Sequence, residues 1–200
     1  MRRLLIVVVS VLTMALLVPV GTVVAWAGDE QTSRVVLTDA RGDVLTDKSE
    51  SGGPVLAGKK PTVDVIRAMA AHRHRVVTSM TRVIDLRRVG RLQLFSAQIE
   101  TATDRFALLV RSSKRNWAGW HVLESFNTGR VRCPGLAHDI DYETNRVTVA
   151  VPRRCIAAPN WVRLSLGNGL AGKDGHAYVD NPHNDRPNPP RRGTIRLYQP

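Results

Sequence analysis

Aromatic residues make up only 5% of this 200-residue chain, and cysteine occurs twice, at Cys133 and Cys155. That spacing rules out a CxxC redox site, and no cysteine follows the N-terminal apolar run, so a lipoprotein-type anchor is excluded. The motifs of several enzyme classes are missing too. There is no G-x-S-x-G, no H-E-x-x-H and no P-loop. Paired carboxylates for glycoside hydrolysis stay open, because such partners need only be close in space; a secreted hydrolase is therefore the third functional class kept. No RNP-type motif, zinc-finger spacing or basic helix appears, which argues against sequence-specific nucleic-acid recognition. No N-x-S/T sequon is present. Past the first segment, the 3.6-residue periodicity of amphipathic helices is weak everywhere.

What is present begins at the N-terminus. Arg2 and Arg3 precede the uncharged apolar run Leu4 to Val20, Pro19 and Gly21 break it, and Ala25-Trp26-Ala27 offers small residues at both peptidase positions. This is the layout of a secretory signal peptide cut after Ala27, leaving residues 28–200 as one domain of a secreted, extracellular protein. A retained membrane anchor is the alternative; otherwise membrane contact is confined to the signal peptide before cleavage. In an exported chain, an even pair of cysteines reads as the disulfide Cys133–Cys155.

Charge is one-sided. With 29 basic against 17 acidic side chains, the formal net charge is +12, to which Arg2 and Arg3 contribute two. Such a surface favours polyanions, whether nucleic acid, anionic lipid or acidic wall polymer. The arginines are scattered rather than gathered in a run, so composition alone accounts for them equally well.

Alternation of apolar and polar residues marks strands. Phe106, Leu108 and Val110 face one way between Arg105, Ala107 and Arg111. Val147, Val149 and Val151 repeat the pattern, as do Val162, Leu164 and Leu166. Expected strands are 35–37, 63–72, 75–84, 91–100, 104–112, 117–124, 129–133, 137–142, 146–152 and 160–167, with 194–198 returning as an edge strand. Residues 46–61 and the glycine-rich stretch 167–172 read as loops. Residues 176–200, which hold DNPHNDRPNPPRRG, read as an irregular, proline-rich basic tail. The fold expected is all-β: an antiparallel β-sandwich of about nine strands over residues 28–175, monomeric, with Glu143-Thr144-Asn145 as a hairpin turn whose open end the disulfide pins.

Asp39, Gly42 and Asp43 form a turn, and Asp64 opens the strand after the following loop. Three carboxylates there suit calcium as hard oxygen ligands; ordinary turn chemistry explains the same residues. Trp117, Trp120 and Trp161, the last beside Arg163, are the candidate ligand contacts, since an exposed indole stacks on a sugar ring. Packing in the core or at a sheet edge is the alternative for each. His72 and His74, at i and i+2, would share one face of a strand, which is compatible with a metal pair, but they fall where a solvated hairpin turn is expected. His176, Asp180, His183 and Asp185 make a polar cluster in the tail.

The order Gly42-Asp43-Val44, Val63-Asp64-Val65-Ile66-Arg67, His72 and Asp85-Leu86 resembles the DOMON and family 9 carbohydrate-binding-module group of β-sandwiches. It is also similar to exported proteins of high-GC Gram-positive bacteria. The resemblance covers roughly residues 35–167 and implies a non-catalytic domain that binds a sugar, haem or another ligand. Sugar-binding members use exposed aromatic clamps and a structural calcium; haem-binding members use axial Met and His. Cell-wall or environmental polysaccharide is accordingly the first partner expected, and an electrostatic binder of anionic polymers or of a membrane surface the second.

Overall fold

The computed structural model describes residues 33–47, 54–182 and 196–199. The expected signal peptide, His183, Asp185 and Thr194 lie outside these residues. The described chain forms fourteen strands and no α-helix. They are β1 (Arg34–Thr38), β2 (Leu45–Thr46), β3 (Val55–Leu56), β4 (Val65–His72), β5 (Val76–Val83), β6 (Leu92–Glu100) and β7 (Arg105–Ser113). After these come β8 (Asn116–Ser125), β9 (Gly129–Arg130), β10 (Ala137–Asp141), β11 (Arg146–Pro152), β12 (Trp161–Ala171), β13 (Ala177–Asp180) and β14 (Arg196–Tyr198). One sheet runs β1-β4-β5-β11-β10. The other runs β3-β2-β13-β12-β6-β7-β8-β9, with β14 also on β12. All pairings are antiparallel.

The two sheets form a sandwich because the apolar halves of the alternating strands meet. Phe106, Leu108 and Val110 from one sheet and Val147, Val149 and Val151 from the other fall in one core cluster, with Val162, Leu164 and Leu166. Cys133 and Cys155 form the disulfide, and both pack against that cluster. It lies beyond the open end of the β10–β11 hairpin, as the spacing predicts, and Asn145 takes the left-handed turn position at φ 58°.

Three segments differ from the expectation. Residues 167–171 are strand, not loop: β12 continues through Gly167 and Gly169 and pairs with β6 from Arg163 to Ala171. A Cβ on Gly167 would sit 3.1 Å from Ser96 Oγ, so glycine here accommodates a close neighbour. The 46–61 stretch contains β3 and the end of β2, and residues 177–180 form β13 between β2 and β12. The segment expected as a tail thus supplies two strands to the larger sheet. His72 is also not solvated: it is fully buried at the end of β4, where its Nδ1 donates to the Leu197 carbonyl at 3.2 Å, while His74 stays exposed in the turn.

Gly119 interrupts β8 at φ +84°, and an added Cβ would lie 2.9 Å from Ile140 Cδ1 and 3.2 Å from the Arg111 carbonyl oxygen. Gly119→Ala combines backbone strain with a clash against backbone, so chemical denaturation is expected to show a loss of about 2 kcal/mol. A change under about 0.5 kcal/mol would mean that β8 relaxes freely at this point.

Candidate functional site

Asp39 follows β1, Asp43 precedes β2, Asp64 precedes β4 and Asp180 ends β13. Three chain-distant segments therefore meet where the edges of the two sheets approach. Carboxylate oxygens of Asp39, Asp43 and Asp180 all lie within 4.8 Å of one another. Gly42, in the left-handed region at φ +82°, turns its N–H onto Asp64 Oδ2 at 2.7 Å. The Val65 N–H donates to Asp180 Oδ2 at 2.6 Å, tying the two sheets together through that side chain. Asp64 is 1% exposed, and its Oδ1 accepts no hydrogen bond among the described residues.

The sequence groups Asp39, Asp43 and Asp64 as the ligand set and leaves Asp180 with the tail; the structure brings Asp180 together with Asp39 and Asp43, with Asp64 close by through Gly42. Of Asp180's expected tail partners, His176 instead lies 3.2 Å from Asp47. Burial pushes Asp180 up to about 6, and the charges of Asp43 and Asp64 push the same way, against the Val65 hydrogen bond. Burial likewise raises Asp64, opposed by the Gly42 N–H and by Arg41. Carboxylates crowded out of water in this way repel one another unless a proton or a cation sits among them. An all-oxygen, all-aspartate donor set of this kind fits calcium chemistry.

The tryptophans do not converge. Gly119 is directed at Ile140 and His138 on β10, and Trp117, half-buried, lies across the β8 irregularity from Trp120. Trp120 points outward, 46% exposed, with the Arg111 guanidinium 4.9 Å from its ring centroid. Trp161 carries Arg196 at 4.1 Å and Arg163 at 5.7 Å over its ring. Trp120 aligns through Arg111 and Leu94 with Gly169 on β12, eight residues beyond Trp161. The two indoles on this outer face are therefore about 14 Å apart across the strands and about 26 Å along them.

A feature that no local motif announces lies on the outer face of the five-stranded sheet. Arg67 on β4 stands opposite Arg82 on β5, and Arg82 stands opposite Arg146 on β11. All three are exposed. Arg146 reaches Asp141 at 3.3 Å, whereas Arg67 and Arg82 form no ion pair among the described residues. Like charges directly opposite across a ladder, with Cβ atoms about 5 Å apart, destabilise a sheet. On the other sheet the comparable arginines have partners: Arg163 sits 3.6 Å from Glu100, and Arg105 and Arg111 lie over Phe126 and Trp120.

Comparisons with protein-family models, with curated proteins and with solved structures find no match.

Proposed function

We propose that this chain is an exported, non-catalytic binding domain that docks a linear polyanion across its five-stranded sheet, with calcium as a structural ion at the aspartate cluster. The row Arg67–Arg82–Arg146 carries the reading. A chain laid perpendicular to the strands meets three arginine positions in succession on strands about 5 Å apart, the third with its guanidinium also on Asp141. Guanidinium forks bind carboxylate and phosphate in bidentate fashion, so a bound anionic polymer relieves the repulsion that the ladder otherwise carries. Export rests on the N-terminal signal pattern and agrees with the disulfide. The resemblance to carbohydrate-binding sandwiches supports a binding role. For a neutral sugar, Trp120, the more exposed indole, is the first contact to test, since two arginines lie over Trp161 and one over Trp120.

Binding of residues 28–200 to polygalacturonate and to polyphosphate is expected to weaken steeply between about 50 and 300 mM salt, as counterion release requires. Arg67→Gln with Arg82→Gln is expected to weaken both at least roughly tenfold and to flatten the salt dependence by about two charges. Salt-insensitive binding, or an unchanged double variant, would sink the reading. Binding to anionic vesicles without binding to either soluble polymer would move the function to a membrane surface. Selective loss on Trp120→Ala would favour a neutral sugar.

A further inference from the structure

A second site lies on the other sheet, at the free side of β8. After β9, residues 131–136 run back along β8 as an arm. The Val131 N–H donates to the Leu123 carbonyl at 2.8 Å, and Arg154 holds the Pro134 carbonyl at 2.5 Å. The disulfide then fastens Cys133 to Cys155. Between arm and strand opens a cleft of about 360 Å³, within the usual range of small-molecule sites. Val131, Cys133 and Leu136 give it apolar wall, Arg130 and Arg132 give it positive charge, and His121 closes one side.

The hydrogen bonds around His121 fix its chemistry. His138 Nε2 lies 2.9 Å from the Ala118 carbonyl. A carbonyl only accepts, so this nitrogen carries the proton. His121 Nδ1 lies 2.7 Å from His138 Nδ1, and in the tautomer where His121 Nδ1 donates, its own Nε2 is the acceptor. In that tautomer Nε2 of His121 is a lone pair that no described residue engages. Burial, with His138 beside it, holds His121 below the ordinary imidazole value, so the ring is neutral at pH 7. The cleft therefore offers two cations beside one neutral acceptor, and a ligand matching it presents an anion next to a hydroxyl donor.

We propose that this cleft binds a small polyhydroxylated carboxylate, its carboxylate on Arg130 and Arg132 and a hydroxyl donating to His121 Nε2. The site is separate from the arginine row, which belongs to β4, β5 and β11, so either can fail without the other.

Calorimetric titration of residues 28–200 with free galacturonate, galactose and inorganic phosphate tests it. Galacturonate is expected to bind with a Kd near or below roughly 1 mM, and galactose at least about tenfold more weakly. Arg132→Gln is expected to weaken galacturonate about tenfold. His121→Phe, checked by its thermal melt, is expected to weaken galacturonate while leaving any phosphate binding unchanged. Arg67→Gln with Arg82→Gln should leave monomer binding intact. Absent galacturonate binding, equal affinity for galactose, or an unaffected Arg132→Gln would overturn the proposal. Phosphate binding as tight as galacturonate would replace it with a bare anion site.

Discussion

Calcium is expected to raise the melting temperature of chelator-stripped protein by roughly 5–10 °C, and Asp180→Asn is expected to abolish that rise. An ion that binds the native state alone stabilises by about 2.7 kcal/mol at a hundredfold excess over its Kd, and a domain of this size gains about 2–4 °C per kcal/mol. The same variant has an opposite effect without calcium. Asp180 titrates at about 6 in the fold against an ordinary 3.8, so between those values the folded chain holds a proton that the unfolded chain has released. The stabilisation tied to that proton is complete below about pH 4 and is lost as pH rises through about 6. At neutral pH the ionised, buried carboxylate costs on the order of 2–3 kcal/mol as an upper bound. Asparagine removes this charge but can accept only one of the two N–H groups that Asp180 accepts, from Val65 and Asn181, which returns about 1 kcal/mol. In EDTA at pH 8, Asp180→Asn is therefore expected to be about 1 kcal/mol more stable than the parent, with a flatter stability profile between pH 4 and 6. Parent protein indifferent to calcium, or a variant that keeps the shift, would remove the ion from this cluster.

The way this cluster and the arginine row assemble explains how far the sequence could be read. Period-2 alternation is local, so the faces of β7, β11 and β12 could be assigned from neighbouring residues, and the first turn announced Asp39 and Asp43 through Gly42. Asp180 had no such signal. It reaches the cluster because β13 pairs with β12 and β2, and register between distant strands is not written in either one. Its own strand does alternate, with Tyr178 and Asp180 buried and Ala177 and Val179 exposed, but four residues beside a run of prolines and asparagines give too short a period to separate from a turn. Gly167 and Gly169 hid the end of β12 for a different reason: a residue without a side chain leaves no mark on a face, although the sheet needs it there. Arg67, Arg82 and Arg146 each read as a single solvated position in its own segment. Only the β4-β5-β11 order turns three scattered charges into a row.

Removing the disulfide should separate the fold from the cleft. Its cysteines close a loop of 22 residues, for which chain entropy gives about 3 kcal/mol. Cys133→Ala with Cys155→Ala is thus expected to lower the melting temperature by roughly 6–12 °C, with part of the loss coming from packing, since both cysteines lie against the core. The β10–β11 hairpin keeps its ladder and its place beside β5, so the sandwich still forms. The arm has far less to hold it. Without Cys133 it depends on the Val131 backbone bond and the Arg154 contact at Pro134, and Arg132 loses the fixed geometry that a bidentate anion contact needs, while Arg130 keeps its β9 place opposite Glu124. At a temperature well below its melt, the double variant is expected to bind galacturonate at least about tenfold more weakly, while polyphosphate binding at the arginine row changes less than about twofold. Equal loss of both would mean that the bridge holds the whole sandwich in register; loss of neither would mean that the arm is positioned by its backbone alone.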